Sequence, residues 1–354
     1  MDKRVGDPYR IRRSEHLVSR RGFAFRYPPG ALVLLLVSWS FLTCSESREV
    51  KVQRFLMRGN DMVTTRNFEE AERFFREALR LDSCFADAWN NLGTLQFNRE
   101  DYTEARESYS RAIECAPEFV DAYLNRANVN YVLDESYSAL EDIETVARRK
   151  PDTVIIYHMQ GLIFTKMREY QKAAVAFERV LSRNPDDADA LVNLGTLLYY
   201  QDKLDTAEAV LQQAIALDPG EPNSYNALCL INVEREQYTE AMEWIQKALE
   251  VSPDDPFFLN NRGFIYLMTG RLSEGLSDIN ESLVNDPGNA WAYRNKGIYY
   301  YLTGNWNHAI RLLEQAVAMD PHARDAYYYL GMSYSQAGNT KKAGEVLEKA
   351  NRRP

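Results

Sequence analysis

Five asparagines, Asn91, Asn125, Asn193, Asn261 and Asn295, stand at separations that are all multiples of 34 residues. Each amide carries two N–H donors and a carbonyl acceptor. A row of them on one face would hold a peptide main chain with little regard to its side chains. Three tyrosines, Tyr131, Tyr199 and Tyr301, keep the same step six residues further along, and their rings would receive apolar side chains of a ligand. A plainer reading has the asparagines satisfying local polar groups and the tyrosines packing between neighbouring helices. Spacing alone does not choose between the two.

Reactive residues show no such order. The histidines, His16, His158, His308 and His322, fall in unrelated segments, and Cys44, Cys84, Cys115 and Cys229 form no CxxC or Cys/His cluster. Zinc ligation has no motif here, and four cysteines leave the redox compartment open. No phosphate-binding loop, dinucleotide fingerprint, nucleophile elbow or HExxH occurs. The acidic doublets Asp186-Asp187 and Asp254-Asp255 follow prolines, where they read as helix N-terminal charge rather than metal ligands. The expectation is a non-enzyme, without cofactor, metal or catalytic residues.

Those asparagines and tyrosines need elements that repeat at the same step. One register reads Gly59, Gly93, Ala127, Gly161, Gly195, Cys229, Gly263, Gly297 and Gly331, all small. Twelve residues on, a second reads Ala71, Ala105, Ala139, Ala173, Ala207, Ala241, Gly275, Ala309 and Ala343. A third is proline at 117 and every 34 residues to 321. Two small registers fit two helices crossing closely, and proline fits the end of the second helix and the approach to the next. Apolar residues such as Ala207, Leu211 and Ala214 recur at helical spacing. The prediction is all-α, with helix pairs that bury their apolar faces only by stacking on one another.

With Trp89, Leu92, Gly93, Ala105, Tyr109, Ala112 and Pro117 in one unit, the chain resembles the tetratricopeptide repeat (TPR) family. That resemblance implies a right-handed superhelical solenoid of about nine 34-residue helix-turn-helix repeats over 52–354. It also implies that the first helix of each repeat, helix A, lines a concave groove for protein or peptide ligands. The asparagine row resembles the superhelical repeat domain of the protein O-linked N-acetylglucosamine transferases. Their catalytic domain has no counterpart here, so only peptide holding would carry over.

The start of the chain differs from the rest. Residues 1–30 hold eight Lys/Arg against three Asp/Glu, and 31–44 hold none of either. The apolar run Ala31–Thr43 is short for a membrane span of about 20 residues and has the layout of a secretory signal. Cys44 at its end resembles the lipidated cysteine of bacterial lipoproteins. Thr43 and Phe41 depart from the usual residues there, and the basic segment is long. Three readings stay open: a lipidated Cys44, a signal segment without lipid, and a short anchor. The expected organisation is 1–44 as signal or anchor, 45–51 as linker and 52–354 as repeats. Residues 45–354 hold 34 basic and 48 acidic residues, a poor match for phosphate backbones. The functional expectation is a protein-binding scaffold at the cell envelope, membrane-attached or periplasmic, without nucleic acid. Its alternatives are a docking subunit for a separate enzyme and a cytoplasmic adaptor.

Overall fold

The computed structural model describes residues 47–151 and 153–351. The signal segment and Cys44 lie outside the described residues, which form eighteen α-helices and no strand. Helix A of the nine repeats is α1 (Arg48–Thr64), α3 (Ala86–Asn98), α5 (Val120–Val132), α7 (Val154–Lys166), α9 (Ala188–Tyr200), α11 (Pro222–Glu234), α13 (Pro256–Met268), α15 (Ala290–Leu302) and α17 (Arg324–Gln336). Helix B is α2 (Phe68–Leu81), α4 (Tyr102–Cys115), α6 (Ser136–Arg149), α8 (Tyr170–Arg183), α10 (Leu204–Leu217), α12 (Tyr238–Val251), α14 (Leu272–Asn285), α16 (Trp306–Met319) and α18 (Thr340–Asn351).

The chain divides into two compact units, whose described residues are 47–167 and 168–351. Within each, every helix packs against the next in sequence, which makes the architecture a helical solenoid. The core is correspondingly serial. In the first unit Val52, Phe75, Leu92 and Leu95 bury together, and Val120, Ile143, Ile156 and Ile163 form a second cluster. In the second, Ile245, Phe258, Leu259 and Ile265 form one cluster, and Leu313, Leu330 and Tyr334 another.

The small registers mark where helices A and B cross. A Cβ on Gly93 would lie 2.8 Å from the Tyr109 ring, and one on Gly195 would lie 2.6 Å from Leu211 Cγ. At α13 on α14 backbone meets backbone closely: a Cβ on Gly275 would lie 2.8 Å from the carbonyl oxygen of Gly263. Any larger side chain there would push two backbones apart.

Helix ends follow from local chemistry. Asp187 Oδ1 accepts from the Ala190 N–H at 3.0 Å, and Asp255 Oδ1 accepts from Phe257 N–H at 2.9 Å and Phe258 N–H at 3.2 Å. The second aspartate of each acidic doublet is therefore a helix cap. Pro222 and Pro256 open their helices, where a missing N–H costs nothing. The A–B turn repeats with less variation than its sequence. Residues 66, 100, 134, 168, 202, 236, 270, 304 and 338 all have positive φ, between 57° and 82°. In repeat two Asp101 N–H donates back to the Gln96 carbonyl at 2.9 Å, the six-to-one bond of a Schellman ending.

One covalent feature has no sequence signature. Cys84, in the loop before α3, is disulfide-bonded to Cys115 at the end of α4, with Cα atoms 5.1 Å apart. The two are 31 residues apart, so the bond closes a loop containing both helices of repeat two. Cys229 is free and buried in the small register, and burial pushes its thiol well above the usual cysteine range.

Candidate functional site

The asparagines form rungs between consecutive A helices. In the first unit Asn91 Nδ2 donates to Asn60 Oδ1 at 2.8 Å, and Asn125 Nδ2 donates to Asn90 Oδ1 at 2.9 Å. In the second, Asn261 Nδ2 donates to Asn226 Oδ1 at 2.7 Å, and Asn295 Nδ2 donates to Asn260 Oδ1 at 2.8 Å. Asn193 departs from this pattern. Its Nδ2 donates to the Asp189 carbonyl of its own helix at 2.8 Å, because the preceding A helix offers no asparagine partner.

Each rung uses one donor of the sixth-position amide and one acceptor of its partner. Asn91, Asn125 and Asn261 are half-buried and retain further bonding capacity. Asn193 is 5% exposed and Asn295 is 0% exposed. Asn295 is saturated further, since Arg294 Nε donates to its Oδ1 at 2.9 Å. The partners Asn90, Asn226 and Asn260 were not among the residues singled out from sequence. Asn90 and Asn260 carry a signal in the doublets Asn90-Asn91 and Asn260-Asn261, five repeats apart in the same register, whereas Asn226, followed by Ala227, has only its register.

The tyrosines are half-buried in three different settings. Tyr131 lies beneath Lys166, whose Nζ stands 4.6 Å from the ring centroid and donates to the Tyr131 carbonyl at 2.6 Å. Tyr199 donates its phenolic O–H to Glu234 Oε1 at 3.3 Å. Burial, reinforced by the Glu234 charge, pushes this phenol far above the usual tyrosine range. Tyr301 meets Tyr329 edge to face, with centroids 5.6 Å apart.

Arg294 is the most deeply buried cation on helix A of the second unit, at 9% exposure. Its guanidinium lies 4.5 Å from the Trp291 centroid and 5.5 Å from that of Phe264, and Nη1 reaches Asp325 Oδ2 at 3.6 Å. Burial pulls its pKa below the usual arginine value, with Asp325 opposing the shift. Among the described residues, no group of three or more His, Cys, Asp or Glu could hold a metal ion. His308 and His322 are exposed, and His308 Nδ1 is 2.9 Å from Asn305 Oδ1. The arrangement therefore offers amides, aromatic faces and a few charges, chemistry suited to holding a chain.

Stacked helix pairs with small residues at both crossings and amide rungs between A helices define a helical-repeat interaction protein. The chain belongs to the tetratricopeptide repeat family, whose models match residues 56–118, 97–153, 158–222, 193–257, 294–354 and 244–276. No curated protein matches it significantly. Among solved structures it is similar to Cut9–Hcn1 of the APC/C hetero-tetramer, at 14% identity and TM-score 0.57, covering 87% of this chain and 78% of that one. Human IFIT1, solved as a dimer with m7Gppp-AAAA, gives 20% identity and TM-score 0.55, covering 75% and 68%. YrrB, a TPR protein with an unusual peptide-binding site, gives 22% identity and TM-score 0.42, covering 52% and 95%. At these identities the likeness is one of fold.

Proposed function

We propose that the chain is a non-catalytic scaffold of the cell envelope, holding protein or peptide partners against the face lined by helix A. The observation that carries this reading is the set of half-satisfied amides at Asn91, Asn125 and Asn261, each anchored by a rung yet retaining a donor for a ligand main chain. Tyr131, Tyr199 and Tyr301 add half-buried rings on A helices, and Asn295 ties α15 to α13, the helix that presents Asn261. Protein is favoured over nucleic acid by the acidic balance of residues 45–354.

The envelope location rests on two supports. The N-terminal sequence has signal layout, and the Cys84–Cys115 disulfide belongs in a compartment without cytosolic reductants. Attachment through Cys44 follows from the lipoprotein resemblance. The mass of the mature N-terminus, measured with and without Cys44→Ala, tests it, and an unlipidated, freely soluble wild type would remove that part.

The groove is tested by crosslinking partners to the full chain in its native host. Binding is then compared across wild type, Asn125→Ala with Asn261→Ala, and Gly304→Ala. The asparagine pair loses about 0.5–1.5 kcal/mol per rung, and the turn variant costs about 1 kcal/mol away from the amides. Loss of partner binding by the asparagine pair alone is the expected result. Binding that tracks stability in both variants would refute the ligand role.

A further inference from the structure

Residues of α4, α5 and α6 line an open cleft of about 460 Å³ in the first unit. Its lining includes two arginines, Arg106 and Arg126, and four carboxylates, Glu107, Glu135, Glu141 and Asp142. Both arginines are already engaged. Arg126 grips Asp142 with two parallel bonds, Nε to Oδ2 at 2.9 Å and Nη2 to Oδ1 at 2.7 Å. Its Nη1 donates to Ser110 Oγ at 3.1 Å. Arg106 Nη1 donates to Glu135 Oε1 at 2.5 Å.

Two kinds of capacity remain unfilled. Glu107 and Glu141 are exposed and pair with no cation among the described residues. Asn130, on α5, is 3% exposed. Its Nδ2 donates to Asp142 Oδ2 at 3.3 Å, but its Oδ1 is buried without a hydrogen-bond partner. A buried acceptor left unpaired costs about 1–3 kcal/mol, so the site gains from any donor that reaches it. The unfilled charge is negative and the buried unfilled group only accepts. An anion is excluded on both counts, since the only cations present already hold carboxylates.

We infer that this cleft binds the ammonium group of a lysine side chain on a protein partner. An ammonium is a compact point charge with three donors, which suits three separate acceptors, Asn130 Oδ1 and the Glu107 and Glu141 carboxylates. A guanidinium instead favours both oxygens of one carboxylate; at Asp142 those are held by Arg126, and at Glu107 or Glu141 its planar fork would be spent on one glutamate rather than shared among the three acceptors. The lysine stem lies along the cleft walls while its charge goes to the floor. Asn130 takes no part in the rungs of helix A, so this site and the peptide-binding face stand or fall separately.

The test titrates ¹⁵N-labelled full-length protein with Nα-acetyl-lysine methylamide, its neutral isostere Nα-acetyl-norleucine methylamide and Nα-acetyl-arginine methylamide. The Asn130 side-chain amide and its neighbours report binding. The lysine probe should saturate with millimolar affinity, and the norleucine probe should bind at least about tenfold more weakly. Glu107→Gln with Glu141→Gln should weaken the lysine probe by about tenfold, and both substitutions are on exposed positions that leave the fold intact. No saturation by roughly 50 mM, well above a millimolar constant, would overturn the assignment. So would equal binding of the norleucine probe, tighter binding of the arginine probe, or an unchanged affinity in the double variant. A resident water as the sole occupant under lysine-probe saturation conditions is likewise a refutation.

Discussion

Breaking the Cys84–Cys115 disulfide should loosen repeat two more than any other part of the chain. The bond joins residues 31 apart and encloses α3 and α4 in one loop. In the chain-entropy account, closing a loop of that length restricts the unfolded segment by about 3.7 kcal/mol at 25 °C. Little offsets this in the folded state. Cys84 is exposed and Cys115 half-buried, so replacing both by serine leaves no sizeable cavity. Because repeats draw stability from their neighbours, the loss falls first on openings that unfold α3 and α4 together. A single melting curve would blur it, since long repeat arrays need not unfold in one step. Hydrogen exchange followed by mass spectrometry resolves it. Peptides spanning 86–115 in Cys84→Ser with Cys115→Ser should exchange several hundredfold faster than in oxidised wild type, while peptides spanning 290–351 stay unchanged. Reductant should convert wild type to the variant's pattern. Equal protection in variant and wild type, or an equal loss in both segments, would refute loop closure as the source of stability.

Three further outcomes follow from the geometry. Gly304, at φ 78°, should lose about 1 kcal/mol on mutation to alanine, whereas Glu236→Gly, at φ 57°, should gain a comparable amount; urea midpoints of the two variants check both signs. Gly263→Ala brings a Cβ to 2.8 Å from Ile279 Cγ1 and 3.1 Å from the Gly275 carbonyl oxygen, so overpacking of about 1–3 kcal/mol is expected and is read by the same denaturation. For Glu72, burial raises the carboxyl pKa, but Arg76 and Arg99 together outweigh it and hold the group below 4.5. A lowered folded-state pKa means stability present above 4.5 and lost as pH falls through the folded value. Glu72→Gln should therefore flatten the acid limb of stability by no more than about 1 kcal/mol, given the pair's partial exposure, and an unchanged limb would show that Arg99 does not tie α2 to the end of α3.

The fold was legible because its constraints are single-residue and periodic. A close helix crossing admits only a small side chain, so Gly93, Gly195 and Ala207 announce it individually. Proline at the first position of a helix and aspartate at its cap do the same at Pro256 and Asp255. The A–B turn was not legible, because its left-handed position is glycine only at 270, 304 and 338. At Glu100 or Asp202 the surrounding Schellman bonds impose the conformation on residues that disfavour it. The disulfide was hidden for a related reason. Two cysteines 31 residues apart carry no pattern until a helix hairpin nearly one repeat long brings their Cα atoms to 5.1 Å. The Asn130 cleft needed three helices in place before its unfilled acceptor could be seen.

The asparagine row shows why one residue type can satisfy both readings of it. A serine that donates its one O–H to a bridge keeps only acceptors for a ligand, and a charged residue repeated along one face would repel its neighbours. An amide spends one donor on the preceding A helix, as Asn125 does on Asn90 and Asn261 on Asn226, and still holds a donor and an acceptor. The rung also fixes the amide's orientation, so a ligand meets a group already ordered and less entropy is lost on binding. In the proposed reading, structural and binding roles are then parts of one device, provided the amide is half-buried. Asn295 marks the limit. With its donor on Asn260 and its acceptor on Arg294, at 0% exposure, it serves the stack, while the half-buried Asn91, Asn125 and Asn261 keep bonding capacity.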